Sequence, residues 1–319
     1  MGKFAYIGHE TVGKLLEERL APAGWVLSDD VEDCDVSFTY CTSQSKLEDA
    51  YFEDDGLIKR MKKGSLLIDL SASTPDFARE LGAIAEVSDL HPVEAPLVVV
   101  DMTMPDAFGD KDNLACFVSG ADDDVEAALN LLDLVVGTAQ TMGAQGTAQM
   151  ARAAYTAQVT AQIVGALEAD ALYKATQNAA TSVDHLEGHA GAVGAHAAQI
   201  LEAADEERFS GTFTVEMLMG EVVAAMQAAD DVDLILPQLE SSMHIIELLA
   251  VIGGADLNPA ALSLVFADEQ TCADHGLDWS RAEQFYGTEH DNDDEDDIDE
   301  DDGHGAFGGF DGFSGYSTN

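Results

Sequence analysis

The sequence predicts an α/β N-terminal domain, then an all-α C-terminal domain, then a disordered acidic tail. Short apolar runs alternate with amphipathic segments in the first part of the chain. The stretch 143–156 then opens a run of good helix formers that continues without proline to about Lys174. Residues 289–302 are almost entirely acidic and 303–319 are rich in Gly, Phe and Ser, so neither segment can build a core. We expect domains over residues 1–144 and 145–286 and a tail over 287–319.

Composition limits the function classes. The chain has 319 residues, with 14 Lys and Arg against 61 Asp and Glu, for a net charge of -47. Such a charge repels nucleic acid and anionic membranes and is typical of a solubility adaptation, for example to high salt. Four cysteines without a CxxC pair indicate reduced thiols, and no apolar run approaches membrane-spanning length. We expect a cytoplasmic protein that binds neither nucleic acid nor membrane.

The first element is an apolar run at residues 3–7, followed by a glycine-containing turn and an amphipathic segment. Strand, glycine turn and helix form a Rossmann-like dinucleotide-binding unit, in which G-x-G-x-x-G approaches a pyrophosphate. Here Glu10 replaces the middle glycine, so a bound dinucleotide requires its carboxylate to turn away from the phosphates or to be protonated. The candidate cofactor-binding residues of this turn are Gly8, His9, Thr11, Val12 and Gly13.

The next unit is shortened. Residues 25–28 and 35–41 are predicted strands. A full mononucleotide-binding half has a complete strand and helix in this region, whereas this sequence has room for only one short strand. Asp29 or Asp30 could bind a ribose hydroxyl, although a solvated acidic turn is the favoured interpretation. After the second of these strands, the further candidate cofactor-binding residues are Thr39, Cys41 and Thr42.

The remaining elements continue the alternation. Residues 46–63 predict a helix and a turn, and 64–70 a buried strand whose end loop, 71–75, leads into another helix. Such loops at the carboxyl edge of a parallel sheet are where ligands bind. Further strands are predicted at 97–100 and 115–119, and further helices at 125–136, 217–228, 235–252 and 260–267.

Taken in order, GxxxxG, DVSFTYCTSQ, KKGSLLIDLSASTPDFAREL, EAP and GAQGTAQMAR resemble the 3-hydroxyisobutyrate and 6-phosphogluconate dehydrogenase superfamily. This superfamily includes the β-hydroxyacid dehydrogenases and the imine reductases. The resemblance covers about residues 3–270 and is most specific at 64–81. It implies NADP or NAD bound in the N-terminal domain, hydride transfer in an interdomain cleft, and a homodimer joined through the helical domain.

The resemblance also implies catalytic residues. Ser71 matches the family's substrate-binding serine, and Arg152 takes the place of the general-acid lysine. Arginine can orient or polarise a carbonyl but does not readily give up a proton, so Tyr155 is the candidate proton donor. Alternatively, Tyr155 packs in the domain junction and Ser71 is a cap or turn hydroxyl. Other departures are Ala72 for a threonine, a substrate loop at 94–100 without its serine and glycines, Tyr155 and Thr156 for two asparagines, and Gly220-Glu221 for Lys-Asp.

His185 and His189 are four residues apart on a predicted helix and could share a metal, and His196 lies one heptad beyond His189. No third ligand is evident, and the small residues around them favour close helix packing, so we predict no metal site. Two functions remain. The first is a diverged NAD(P)-dependent oxidoreductase acting on a small polar substrate with Arg152, Tyr155 and Ser71. The second is a non-catalytic relative that serves as a dimeric scaffold or small-ligand sensor and no longer binds dinucleotide.

Overall fold

The computed structural model describes residues 2–177 and 194–290. The first part of the chain forms an eight-stranded sheet in the order β2-β1-β3-β4-β5-β7-β6, with β8 paired to β7. The strands are β1 Gly2–Gly8, β2 Trp25–Leu27, β3 Val36–Tyr40, β4 Leu66–Asp69, β5 His91–Glu94, β6 Leu97–Val99, β7 Leu114–Gly120 and β8 Thr138–Gly143. Neighbours from β2 to β5 run parallel, whereas β7 is antiparallel to β5 and β6. The sheet is therefore mixed.

Helices cover the sheet and form the second part of the chain. They are α1 Glu10–Leu20, α2 Gln44–Phe52, α3 Leu57–Arg60, α4 Pro75–Val87, α5 Asp122–Val135, α6 Thr147–Gln177, α7 Ala195–Asp205, α8 Val215–Asp230, α9 Pro237–Leu249, α10 Glu269–Asp274 and α11 Ser280–His290. The predicted order of an α/β part followed by a helical part is confirmed, as is the long helix that begins just after residue 146. The exact domain limits stay a prediction.

The shortened first unit is visible in the sheet order. β1 lies between β2 and β3, and β2 is an edge strand of the described sheet. β2 pairs with β1 over only three residues, from Gly2 opposite Trp25 to Phe4 opposite Leu27. In the full six-stranded order another strand lies beyond the second. The carboxyl ends of β1 and β3 are thus neighbours, which brings the glycine turn beside Thr39–Thr42.

Some elements differ from the sequence prediction. β5 contains Pro92 and β8 has mostly exposed polar residues, so neither presents the apolar run by which strands are recognised. The predicted helix over 46–63 is two helices, because the chain turns tightly at Gly56, where a Cβ would lie 2.6 Å from the Tyr51 carbonyl oxygen. Pro259–Phe266, expected as an α-helix, is a 3₁₀ segment.

One continuous core joins the sheet to the helical part. Phe108 packs against Tyr40 on β3 on one side and against Phe213, just before α8, on the other, at ring-centre distances of 6.4 Å in both cases. α8 continues across the carboxyl edge of the sheet, where Gly220 meets the backbone of Thr42. The core therefore holds α8 over the edge at which ligands are expected.

No single helix among residues 2–177 and 194–290 is long and apolar enough to cross a membrane. Two helical segments joined at a bend of 90°, Pro237–Gly254 and Pro259–Phe266, are together long and apolar enough to cross a membrane by length and composition alone. Its side chains Leu239, Met243, Leu262 and Leu264 are in the protein core. His185, His189 and the predicted tail from residue 291 onward lie outside the described residues.

Candidate functional site

A cavity of about 510 Å³ opens at the carboxyl ends of β1 and β3. Its floor is formed by the glycine turn at Gly8 and His9 and by the loop after β3 at Cys41 and Thr42. α2 forms one wall and Glu216 of α8 contributes to the rim. The volume lies in the range of small-molecule and cofactor sites, and the position is that of ligand sites in open α/β sheets.

The two glycines of the turn are required by close packing. At Gly8 the φ angle is 141°, and a Cβ would lie 2.0 Å from the carbonyl oxygen of Tyr40. At Gly13 a Cβ would lie 2.7 Å from the ring of Tyr6, so this glycine lets α1 approach β1. His9 then caps α1, its ring nitrogen accepting from the backbone N–H of Thr11 at 3.3 Å. The start of α1 consequently faces the cavity.

Glu10, which replaces the middle glycine, is directed to solvent. Its carboxylate pairs with Lys14 one turn further along α1, and 79% of its side chain is exposed. This hydrogen bond and charge lower the pKa of Glu10, so the carboxylate is ionised at neutral pH. Glu10 does not line the cavity. Of the two arrangements compatible with a dinucleotide, the structure has the one in which the carboxylate is turned away.

The cavity is rich in negative charge. Four carboxylates line it, and Lys46 is the single Lys or Arg in its described lining. The carboxylates are Asp49, Glu53, Asp55 and Glu216. An anionic ligand here experiences repulsion that salt screens. In the part of the chain that the structure describes, no group of three or more His, Cys, Asp or Glu residues is arranged to hold a metal ion.

The predicted cofactor-binding residues fall into two groups. Gly8, His9, Cys41 and Thr42 line the cavity. The others, Thr11, Val12, Gly13 and Thr39, support it from outside its lining; Val12, Gly13 and Thr39 are buried. Asp29 and Asp30 are exposed at the end of β2, away from the cavity. Asp30 accepts from the backbone N–H of Glu32, the behaviour of an acidic turn.

Ser71 ties two strand ends together. Its hydroxyl oxygen accepts from the Cys41 N–H at 2.9 Å, and its own N–H donates to Asp69 at 3.0 Å. Asp69 also accepts from the hydroxyl of Thr39 at 2.8 Å. Burial raises the pKa of Asp69 to about 6 despite these hydrogen bonds. Ser71 is therefore a turn hydroxyl in this structure, and a direct role toward substrate stays a prediction.

A second buried carboxyl, Glu94, joins the sheet to α6. Its carboxylate accepts from the backbone N–H of Gly146 and, at 3.3 Å, from that of Gln149. Burial raises the pKa of Glu94 to about 7, against the effect of these hydrogen bonds. The Gln149 side chain donates to the Ser71 carbonyl and accepts from the Ser73 N–H. The start of α6 is thus fastened to the loop that carries Ser71.

The side chain of Arg152, a residue of α6, is buried where α6 packs against α8. Only 1% of the residue is exposed, and its guanidinium forms an ion pair with Glu221 of α8. Nε donates to the carbonyl oxygen of Leu97 at 3.1 Å, and Nη1 donates to the hydroxyl of Thr156. Burial raises the pKa of Glu221, and the charge of Arg152 partly offsets that rise. The arginine is held by contacts within the protein.

Tyr155, one turn after Arg152 on α6, is half-buried. Its hydroxyl is 3.2 Å from Nε2 of His196 on α7, and its ring packs edge-on against Phe117. The Arg152 guanidinium carbon lies 5.6 Å from the centre of the Tyr155 ring. Burial raises the pKa of Tyr155, and Arg152 lowers it in part. Neither Arg152 nor Tyr155 lines the cavity, so their catalytic roles stay predictions.

Comparison with known proteins identifies the N-terminal part. Residues 7–143 match the NAD binding domain of 6-phosphogluconate dehydrogenase. This part of the chain is similar to that domain. The chain is 27% identical over 156 residues to an uncharacterized oxidoreductase, YkwC, of Bacillus subtilis, covering 48% of this chain and 52% of that protein. It is 29% identical over 140 residues to mitochondrial 3-hydroxyisobutyrate dehydrogenase of Mus musculus, covering 43% of this chain and 40% of that protein.

The chain thus spans about half the length of the curated relatives that it matches. Among solved structures, it is similar to 3-hydroxyisobutyrate dehydrogenase of Mycobacterium tuberculosis, solved with L-serine. The TM-score is 0.67 at 20% identity, covering 84% of this chain and 100% of that one. At this identity the similarity shows the fold. The resemblance stated from the motifs is confirmed, as is the fold class of a Rossmann-like domain followed by a helical region.

The structure contains buried polar residues near the site that the sequence prediction did not assign. Asp69, Glu94 and Gln149 form the buried polar contacts behind the cavity, and Glu221 completes the ion pair of Arg152. A signal was available for Asp69 and Glu94, since each ends a buried strand on an ionisable residue. For Glu221 the signal was an acid in the middle of a helix, followed directly by the apolar run of residues 222–226.

Proposed function

We propose that this chain is a diverged NAD(P)-dependent oxidoreductase of the β-hydroxyacid dehydrogenase and imine reductase type. Its substrate is small and polar and is bound between the sheet and the helical part. The observation that carries the proposal is the cavity of about 510 Å³ at the glycine turn, with Glu10 paired to Lys14 outside it. A cofactor-sized space and an unobstructed helix start are what a dinucleotide diphosphate needs.

The residues present fit a dinucleotide at this position. Gly8 and His9 would lie against the diphosphate at the start of α1, and Cys41 and Thr42 would lie along the next strand end. When bound, the nicotinamide would supply or accept a hydride. Tyr155 would hold the transferable proton on its hydroxyl, next to His196, and Ser71 would keep the loop after β4 in place. The choice between NAD and NADP is open.

A second candidate function is a non-catalytic relative, a dimeric scaffold or small-ligand sensor. Two observations favour it. Arg152, at the position of the family's general-acid lysine, is paired with Glu221, and Gly220 closes against Thr42 beside the cavity. For either function we propose a homodimer formed through the helical part. Light scattering of the purified chain measures its molar mass and so tests whether it is a dimer.

The deciding experiment is a titration of the purified chain with NADH and NADPH at low and high salt. Nicotinamide fluorescence and calorimetry measure the binding. We expect micromolar binding of at least one cofactor. Glu10→Gln should bind with an affinity within about threefold of the unaltered chain, because the carboxylate points to solvent and exposed charges contribute little. Glu17→Gln, an exposed site on the same helix, is the matched control. Absence of binding at both salt concentrations would favour the non-catalytic function.

A further inference from the structure

The wall of the cavity formed by α2 carries three carboxylates, which we call the acidic wall. Asp49 lies in α2, Glu53 ends the helix, and Asp55 lies in the turn that leads to α3. All three residues are exposed to solvent and all three line the cavity. Lys59, the next cation along the chain, pairs at 2.7 Å with Asp54, which does not line the cavity. The acidic wall is therefore not compensated by this lysine.

A phosphate group in the cavity has few positive charges available to it. Lys46 is the single Lys or Arg in the described lining, and the start of α1 adds the partial positive charge of a helix N-terminus. Every other Lys or Arg among residues 2–143 contacts a carboxylate or a backbone carbonyl oxygen. The helix start and Lys46 can serve the diphosphate that NAD and NADP share. A further phosphate finds no other free cation among these residues.

The end of β2, where a Rossmann-type domain contacts the adenosine ribose, is acidic as well. An Asp or Glu there binds the 2′-hydroxyl of NAD, whereas an Arg accommodates the 2′-phosphate of NADP. In this chain residues 28–33, directly after β2, include four acids and no Lys or Arg. The cations that reach this segment are already paired, Lys3 with Asp33 and Arg60 with Glu32. Whichever way the adenosine half extends from the glycine turn, its ribose meets more carboxylates than cations.

We infer that the chain binds NAD(H) in preference to NADP(H), and that the acidic wall of Asp49, Glu53 and Asp55 makes this selection. The inference rests on the proposed function, in which the cavity takes a dinucleotide. The two cofactors differ by one phosphate monoester, a group that carries a charge of about −1.5 to −2 at pH 7. Repulsion from the wall therefore acts more strongly on NADP(H), whereas ribose hydroxyls can donate to the same carboxylates.

The first measurement is the ratio of the dissociation constants of NADPH and NADH for the unaltered full chain, from nicotinamide fluorescence and calorimetry. At about 0.1 M salt, where the Debye length is about 10 Å, we expect NADH to bind about tenfold more tightly or better. At about 1 M salt, where the Debye length is about 3 Å, the ratio should fall about threefold or more. NADPH binding as tightly as NADH at the lower salt concentration, or a ratio that does not change with salt, overturns the inference.

A double variant assigns the preference to the acidic wall. Glu53→Gln/Asp55→Asn removes two of its three charges and should lower the ratio at 0.1 M salt about threefold, mainly through tighter binding of NADPH. Glu80→Gln/Glu86→Gln is the matched control, since these exposed acids on α4 do not line the cavity and carry the same total charge. The control should keep the ratio of the unaltered chain. An unchanged ratio in the wall variant, or an equal fall in both variants, overturns the role of the wall.

Failure of the proposed function gives a different result. A chain that binds neither cofactor at either salt concentration loses the proposed function, and the inference with it. A chain that binds both cofactors equally well keeps the proposed function and loses only the inference. ADP-ribose and its 2′-phosphate differ by the same charge and lack the nicotinamide, so calorimetry should show the same preference for the less charged member. The opposite order would overturn the inference.

Discussion

Gly220 of α8 and Thr42, after β3, are in backbone-level contact: a Cβ on Gly220 would lie 2.2 Å from the Thr42 carbonyl oxygen. This contact holds the helical part against the carboxyl edge of the sheet. It lies between the cavity rim at Glu216 and the ion pair at Glu221. The cavity lies on one side of this contact, and the buried side chains of Arg152 and Glu221 lie on the other.

Gly220→Ala should therefore destabilise the protein by about 1–3 kcal/mol, because the added methyl group meets backbone that must move. Urea unfolding of both forms measures the difference. Gly165→Ala is the matched control, since that helical glycine has nothing within 4 Å of its Cβ position and alanine is the better helix former. We expect Gly165→Ala to be neutral or stabilising. Equal stability of Gly220→Ala and the unaltered chain would show that α8 is not held by this contact.

The buried carboxyl of Glu94 predicts a pH-dependent stability. Its pKa rises from 4.5 to about 7 on folding, so the native state binds the proton more tightly than the unfolded chain. The contribution is complete below about pH 4.5 and is lost as the pH rises through about 7, by about 3 kcal/mol.

Glu94→Gln should flatten the fall in unfolding free energy between pH 4.5 and 7, measured in high salt to suppress the general charge repulsion. Glu86→Gln, an exposed acid on α4, should keep the slope of the unaltered chain. The prediction fails if Glu94→Gln and the unaltered chain lose stability in parallel over this range.

The acidic cavity predicts an unusual salt dependence. Four carboxylates and one lysine line the space assigned to an anionic cofactor. Screening weakens repulsion between exposed charges, with a Debye length of about 10 Å at 0.1 M and about 3 Å at 1 M salt. NADH affinity should therefore rise with salt. Asp55→Asn should bind more tightly at low salt and depend less on it, and a lower affinity of the unaltered chain at 1 M salt would contradict the prediction.

The Tyr155 hydroxyl, 3.2 Å from His196, is the predicted proton donor. Tyr155→Phe keeps the ring packing against Phe117 and removes the proton. With a substrate found by screening uncharged carbonyl and imine compounds, kcat should fall by about 10²–10⁴-fold while NADH affinity stays within error. Phe117→Leu is the control for packing alone. If Tyr155→Phe keeps the kcat of the unaltered chain, Tyr155 is a packing residue and the proton comes from elsewhere.

The sequence was sufficient for much of the fold because local patterns determine it. The apolar run of β1, the glycine turn and the proline-free run of α6 each mark an element through its own residues. β5 and β8 escaped prediction because their pairing partners hold them in the sheet. Their own residues give no apolar pattern that would reveal this.

For the site, the sequence by itself determined which residues lie at the ends of β1 and β3. Of the predicted cofactor-binding residues, Gly8, His9, Cys41 and Thr42 line the cavity, and their role toward a cofactor stays a prediction. Only the tertiary structure decided where the charged side chains point. Glu10 faces solvent and pairs there with Lys14, one helical turn away. The positive charge of Arg152 is compensated because α8 brings Glu221 to it, 69 positions further along the chain. Charges act through space, and the distance between such groups is set by packing of elements that are remote in sequence.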